Sequence, residues 1–428
     1  MEIAVVGGGI AGLTAGGLLA QRGARVTVFE AAGELGGRAR TVVRDGYSFN
    51  LGAHALYRRG AGWRVRRCLD VKVTGGTVSR TALALVRDGA LLPGRALIRD
   101  GGEVARLSAR LIRQELHGLS DSSVTGWLDD QAPGPGARQV FEALVRLTTY
   151  TAEHDRLSID AAATQFRIGA RGSVRYLDGG WRSLVRALRA AAVRAGAVVA
   201  AGDRVLEVEH DDRVRAVRLA SGRRLRVDGA VLAVGGPGAA RALTGDGPGA
   251  EVLARWEAQA VPVRAACLDL ALSRAPRPRL YAIGLDEPTY ASVHSTWGAL
   301  APPGSALVHT AWYLREGDAP EAARARLEAL LDLAQPGWRG LIVHERFLPR
   351  MEVTAGMPLA SAGGLPGRPG PLVPGVEGLA VAGDWVGGEG LLADASFASA
   401  ERAAALLLAR ARPGVQPAAR PGVTVASP

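Results

Sequence analysis

Met1-Glu-Ile-Ala-Val-Val-Gly7-Gly8-Gly9-Ile10-Ala11-Gly12 runs on through Arg22 to Arg25-Val-Thr-Val-Phe-Glu30. Apolar residues at 3–6 form a short strand, the three glycines a turn, and Ile10 to Arg22 an Ala/Leu-rich helix that Gly23 ends. A second strand over Arg25 to Phe29 completes a βαβ start. The loop fits G-x-G-x-x-G. Gly7 permits the tight turn, Gly9 lets backbone approach a pyrophosphate with no Cβ in the way, and Gly12 lets helix and strand pack closely. The helix start at Ile10 and Ala11 offers free N–H groups and the positive end of a dipole to phosphates. Glu30, about 18 residues past Gly12, can accept the ribose hydroxyl protons. A glycine loop alone also serves as a plain turn. Strand, loop, helix and acid in register make it a dinucleotide cradle, with NAD and FAD both open.

Outward from this start, the 428 residues exceed one compact domain, so two lobes are expected. The formal net charge of +11 comes almost wholly from arginine, Lys72 being the only lysine. The arginines are scattered, with no unbroken basic run and no aromatic-basic stripe, so a solvated basic surface is expected and no nucleic-acid partner. Cys68 and Cys267 form no close pair, which gives neither a disulfide framework nor a metal site. The chain enters a strand at once, without room for a signal peptide, and no uncharged apolar run reaches membrane-spanning length. A cytoplasmic protein is expected.

From about Val78 to Tyr176 the pattern suggests amphipathic helices, such as Val104 to Leu116, interrupted by Gln131-Ala-Pro-Gly-Pro-Gly136. Trp181 to Ala195 reads as a helix. Short strands follow at Ala197–Ala200, Val205–Val208, Val214–Leu219, Arg224–Val227 and Ala230–Val234, with Ser221-Gly222 as a hairpin turn. Residues 262–272 and 306–314 are further strands, Glu321–Leu333 a helix, Leu379–Ala382 a last strand and Phe397–Arg412 a last helix. The Pro/Ala/Gly-rich tail, 413–428, is expected to be disordered.

Directly after Glu30 comes Ala31-Ala-Gly-Glu-Leu-Gly36-Gly37-Arg38-Ala-Arg-Thr41. Two glycines let backbone lie against a ligand, and Arg38 can meet phosphate as a bidentate donor. An NAD site gives no reason for this extension. Here the chain resembles the flavin amine oxidase, phytoene desaturase and protoporphyrinogen oxidase superfamily, whose double-glycine motif E-x5-G-G-R-x-x-T/S is met at every fixed position. Gly378-Leu-Ala-Val-Ala-Gly383-Asp384-Trp385 resembles its C-terminal flavin motif, and Glu389-Gly-Leu-Leu-Ala393-Asp394 leads into the helix that the family sets at the flavin's pyrimidine edge. Gly202-Asp203-Arg204-Val205 resembles the segment that meets the adenine. The resemblance implies non-covalent FAD, since the covalent flavin cysteine of some relatives is missing. It covers residues 1–57, 177–243 and 376–410, and is weak between them.

The resemblance also assigns the rest of the site. Phe49-Asn-Leu-Gly52-Ala53-His54-Ala-Leu-Tyr57 resembles the segment passing the flavin ring. Two readings stand for His54: a proton acceptor beside the reacting carbon, or a structural histidine bonded to nearby backbone. Tyr57 is read as a pocket wall. Trp297, Trp312, Tyr313 and Arg350 are candidates for substrate contact, with core packing as the alternative for the aromatics. The lysine that amine oxidases of the superfamily place near the flavin is missing from Pro262–Asp269. That favours desaturation over amine oxidation.

The implied fold is α/β, with a Rossmann-like FAD-binding lobe built from 1–75, 177–260 and 345–412. A mixed sheet-plus-helices substrate lobe is built from 76–176 and 261–344. The expected activity is hydride removal from a C–H of a largely apolar small molecule, with O2 or a quinone as acceptor. Three alternatives stand beside it: an amine or amino-acid oxidase, a redox-neutral flavin isomerase, and a non-enzymatic escort-type binding module. Peripheral membrane contact through the helix at 104–116 is a further alternative to its simple packing.

Overall fold

The computed structural model describes residues 1–79, 82–94, 101–113 and 118–410. The expected tail and the last residues of the 104–116 helix lie outside them. A five-stranded sheet forms the first layer, in the order Val198–Ala201, Arg25–Glu30, Glu2–Val6, Gly229–Leu232, Leu379–Val381, every pair parallel. Its inner strands are continuous apolar runs because both faces are covered. Ile3 and Val5 pack on the side of helices Ile10–Gln21, Arg182–Arg194 and Leu392–Arg410. Ala4 and Val6 face the antiparallel sheet Val205–His210, Val214–Leu219, Arg224–Arg226 and the helices Pro237–Thr244 and Ala250–Gln259. The sheet thus joins segments from the beginning, middle and end of the chain.

A seven-stranded sheet forms the second layer, in the order Ile342–Thr354, Val263–Leu272, Ala306–Leu314, Thr289–Val293, Tyr281–Gly284, Leu83–Arg87, Ala90–Pro93. All its pairs are antiparallel except Tyr281–Gly284 with Leu83–Arg87. Period-two alternation divides its side chains. Ala265, Cys267, Ile283, Tyr290, Ala311 and Tyr313 pack toward helices Gly101–Arg113 and Pro135–Thr149. Ala266, Leu268, Val293, Val308 and Trp312 pack toward helix Ala323–Ala334. Among the described residues, no helix is long and apolar enough to cross a membrane.

Three local expectations need correcting. The stretch 78–176, read as helical, opens with the hairpin Leu83–Arg87/Ala90–Pro93, which turns at Asp88 (φ 50°) and Gly89 (φ 69°). Its apolar run is too short to tell strand from helix, while the Asp-Gly turn carried the signal. Residues 342–354 form one 13-residue strand of the seven-stranded sheet, where a cofactor-lobe segment was expected from 345. Pro349 hid it: proline is tolerated here because the strand is at the sheet edge and its register is irregular around Pro349. The last helix begins at Leu392, five residues before Phe397, because Leu392 turns the chain with φ 55°.

Candidate active site

A cavity of about 1410 Å³ lies between the two sheets. At one end it is walled by the loop at Gly7, Gly9, Ile10 and Ala11, by Glu30, by Gly36-Gly37-Arg38, by Val205, and by Gly383-Asp384. Gly12 stands behind that wall: a Cβ there would sit 1.8 Å from the Gly7 carbonyl oxygen, so helix and loop could not close. Gly7 (φ 110°) is equally confined, its added Cβ falling 2.3 Å from the Ala233 oxygen. Gly9 differs. The nearest atom to a Cβ there is the Gly36 oxygen at 3.9 Å, so that position opens on the cavity. The double-glycine segment docks on the loop, with Gly36 N–H donating to the Gly8 carbonyl at 2.9 Å. Glu30 closes the corner, accepting from Gly8 N–H at 2.8 Å and from Ala32 N–H at 2.9 Å.

Arg38 meets two carboxylates, Asp384 at 2.7 Å and Glu352 at 3.1 Å. The guanidinium that the sequence reading assigns to a phosphate is paired with these two acids. Asp384 is buried and also accepts from Ala355 N–H at 3.3 Å. Burial raises the Glu352 carboxyl, Arg38 pulling against it and Asp384 adding to it. At the first turn of the last helix, Ala393 and Asp394 line the cavity. One Asp394 oxygen accepts from Gly62 N–H at 2.8 Å, while the other is buried without a partner. Burial pushes this carboxyl up to about 7. The carboxyl fits only because Gly60 lies against it, where a Cβ would come within 1.9 Å of its oxygen.

Ala53, His54 and Tyr57 line the middle of the cavity. Gly52 lies behind them with φ 77°, its missing Cβ leaving room for the Met351 methyl. His54 Nδ1 is 3.1 Å from the Gly52 carbonyl, which can only accept, so the proton is on Nδ1. Burial, reinforced by His309 and Arg346, lowers the imidazole to about 4, with the Gly52 and Arg38 backbone pulling the other way. The ring stands edge-on to Trp181 at 5.0 Å.

The far end is lined by tyrosine and leucine. Tyr57, Tyr150, Tyr176, Tyr281 and Tyr290, five of the chain's seven tyrosines, face it together with Leu83, Leu144 and Leu147. Tyr57 donates to the Thr148 carbonyl at 3.2 Å and Tyr150 to the Ala53 carbonyl at 3.1 Å. The charged side chains on the cavity wall are Glu30, Arg38, Arg204, Glu352, Asp384 and Asp394, all in the motif segments or paired with them. Among the described residues, the tyrosine end contributes none.

Four residues expected at the substrate do not line the cavity: Trp297, Trp312, Tyr313 and Arg350. Trp312 points to the opposite face of its sheet, under the Arg326 guanidinium at 4.8 Å. Tyr313 faces inward but stands behind Tyr150, ring to ring at 5.8 Å. Arg350 is exposed on the edge strand, and the Trp297 backbone packs on Gly76. Tyr150, Tyr176, Tyr281, Tyr290 and Trp181 were missed. The scarcity of tyrosine was the signal for four of them, but only the packing of the seven-stranded sheet on the end of helix Pro135–Thr149 and on the strand Val174–Leu177 brings 281 and 290 beside 150 and 176.

The family profile described as flavin containing amine oxidoreductase matches residues 95–408, and the NAD(P)-binding Rossmann-like domain matches 5–70. Over 55 residues, 13% of the chain, it is 46% identical to protoporphyrinogen oxidase 2, chloroplastic/mitochondrial, of Arabidopsis thaliana. Over 52 residues, 12% of the chain, it is 42% identical to 4,4'-diapophytoene desaturase (4,4'-diaponeurosporene-forming) of Staphylococcus aureus strain Newman. These matches span only about a tenth of the relatives' length, 11% and 10%. The structure of wild-type putrescine oxidase bound to putrescine superposes with a TM-score of 0.72 at 17% identity, covering 96% of this chain and 100% of that one.

Proposed function

The chain belongs to the flavin containing amine oxidoreductases, and we propose that it is an FAD-dependent dehydrogenase of an uncharged, largely apolar small molecule. The observation that carries this reading is the tyrosine end of the cavity, which has no charged side chain among the described residues. Burying an ammonium or carboxylate there without a partner costs several kcal/mol, whereas an apolar molecule gains about 25 cal/mol per Å² removed from water. No lysine stands on Val263–Leu272, where amine oxidation would call for one.

The protein enters this function as holder and shaper. Gly7, Gly9, Ile10 and Ala11 present backbone to a pyrophosphate, Glu30 takes the ribose, and Val205 packs at the adenine. Gly36, Gly37, Arg38, Gly383 and Asp384 flank the phosphates and ribityl chain, and Ala393 and Asp394 present a helix start to the ring. The fit is supported by Gly9, where the space a Cβ would take is open to the cavity. Bound FAD supplies a two-electron acceptor for hydride from a C–H, to be reoxidised by O2 or a quinone. His54, with Nδ1–H on the Gly52 carbonyl and a pKa of about 4, is a weak base and is assigned to orienting the ring wall. The tyrosine faces fix the substrate by shape.

A second reading has one observation in its favour. Five tyrosine faces around one space also suit an amine held by cation–π contact. Anaerobic bleaching of the flavin's visible bands separates the two. The panel pairs diamines and amino acids with polyenes, porphyrinogens and an uncharged dihydropyridine diester. Bleaching by the uncharged donors alone supports the first reading, and bleaching by amines alone overturns it.

A further inference from the structure

The cavity-side face of the seven-stranded sheet carries a row of polar side chains whose hydrogen bonding the proposed function leaves unused. Arg346, Asp269, His309, Ser292 and Tyr281 stand opposite one another on five successive strands. Tyr290 and His294 flank Ser292 two residues to either side along the chain. Asp269, Ser292, His294 and His309 are at most 1% exposed. A buried polar row is costly unless its members pair; Arg346, Asp269 and His309 pair in sequence, Tyr290 pairs with His294 and Tyr176, and Ser292 Oγ is buried without a partner. Arg346 donates to one Asp269 oxygen at 2.6 Å, and His309 Nδ1 donates to the other at 2.7 Å. At the cavity wall, the Tyr290 hydroxyl lies 2.9 Å from His294 Nε2 and 3.3 Å from the Tyr176 hydroxyl.

Between these two halves lies one gap. The His294 and His309 ring centroids are 4.3 Å apart, and His294 Nδ1 and His309 Nε2 are both buried with no partner. The two orphans are complementary. With Nδ1–H on Asp269, neutral His309 exposes a lone pair at Nε2. With Nε2 accepting from Tyr290, neutral His294 carries its proton at Nδ1. One proton moved across that gap, directly or over a single water, closes a continuous path from the cavity to Asp269. Burial raises the Tyr290 hydroxyl well above its ordinary value, so it remains a hydroxyl that takes a proton as it gives one up. Its single hydrogen has two acceptors, His294 and Tyr176, between which it can swing.

We propose that Tyr290 is the proton acceptor at the cavity wall and that His294 and His309 carry the proton inward, with Asp269 and Arg346 as positioning residues at the far end. This rests on the dehydrogenation reading above. A substrate losing two hydrogens gives one, with its bonding pair, as hydride to the flavin, and the other as a proton to the Tyr290 oxygen. The Tyr290 proton passes to His294 Nε2, and the His294 Nδ1 proton passes to His309 Nε2. His309 is left as an imidazolium against the Asp269 carboxylate. The reverse sequence returns the proton to the cavity.

The test uses the flavin-loaded protein and two uncharged dihydropyridine diesters, one with N–H and its N-methyl analogue. The first loses hydride and a proton and leaves a neutral pyridine. The second loses hydride only and leaves a cation in a chamber without charge. Wild-type protein is expected to bleach at least tenfold faster with the N–H donor, and Tyr290→Phe and His294→Gln to lose that preference while still bleaching with the N-methyl donor. Nitrogen-15 spectra of labelled histidine in the same proteins give a second readout without turnover. His294 is expected as its Nδ1–H tautomer in wild type and as a tautomer mixture in Tyr290→Phe. Equal rates with both donors in wild type, or a preference kept in Tyr290→Phe, would overturn the relay and leave the dehydrogenation reading standing. Bleaching by neither diester, together with bleaching by amines, removes both.

Discussion

Arg38 donates to Asp384 at 2.7 Å, joining the double-glycine segment near the start of the chain to the Gly-Asp segment near its end. Asp384 is buried and Arg38 partly exposed, so the pair is screened on one side only. Removing Arg38 leaves a buried carboxylate short of its partner, whereas Asp384→Asn removes the charge as well. Arg38→Ala is therefore expected to cost about 1–3 kcal/mol of stability and Asp384→Asn less. A double-mutant cycle on thermal unfolding checks this, and equal, additive losses would contradict it.

Gly9 and Gly12 should part company. A Cβ at Gly12 collides with the Gly7 carbonyl at 1.8 Å, so Gly12→Ala must displace the helix and lower stability in the flavin-free and flavin-bound protein alike. A Cβ at Gly9 meets nothing closer than 3.9 Å and intrudes only on the cavity. Gly9→Ala is expected to keep the unfolding midpoint of the flavin-free protein and to weaken FAD binding. Flavin titration beside denaturant unfolding reads both effects.

Glu30 holds Gly8 N–H and Ala32 N–H as well as facing the cavity. Glu30→Ala therefore loosens the loop besides removing the proposed ribose acceptor, and FAD affinity should fall by ten- to a hundredfold, or about 1.5–3 kcal/mol. Glu30→Gln retains an acceptor oxygen and is expected to fall between wild type and Glu30→Ala. Unchanged affinity in Glu30→Ala would count against the assignment.

Asp394 gives a pH signature. Burial raises its carboxyl to about 7, so between about pH 4 and pH 7 the native protein holds a proton that the unfolded chain has released. The stability this contributes is present at low pH and lost as pH rises through that window. Asp394→Asn, which keeps an oxygen for Gly62 N–H, should match wild type near pH 4 and exceed it at pH 8 by about 2–4 kcal/mol. Urea unfolding across that range measures the difference.

His54 has the opposite sign. Its folded value of about 4 lies below the ordinary 6.5, so the unfolded chain binds a proton that the native state refuses. Stability from this site is full above about pH 6.5 and drains as pH falls toward 4. His154, held to about 3 by burial with Arg146 and Arg315 adding to it, acts in the same direction. His54→Gln should flatten the acid side of the stability curve by up to about 3 kcal/mol. An unaltered acid slope would show that His54 is protonated in the native state.

The sequence alone indicated the glycine loop, Glu30 and the double-glycine segment that wall one end of the cavity. Glycines, one acid and strand-helix alternation lie close together in short segments, and their chemistry is local: Gly7, Gly12, Glu30 and the segment at 36–38 take their places by turn geometry and hydrogen bonds to near neighbours. Tertiary structure decided the rest. Arg38 could not be matched to Asp384 and Glu352 from spacing, and the strand at 342–354 was hidden by Pro349, which only an edge position excuses. The tyrosine chamber arises where the seven-stranded sheet packs on Tyr150 at a helix end and on Tyr57 and Tyr176 of a separate sheet, and the row from Arg346 to Tyr281 arises from register across strands far apart in the chain. A one-residue slip would turn every one of those side chains to the other face, and no local pattern fixes such a pairing. The fold is written in short-range signals because backbone geometry is a local property. The chamber is not, because it exists only where distant segments pack around one space.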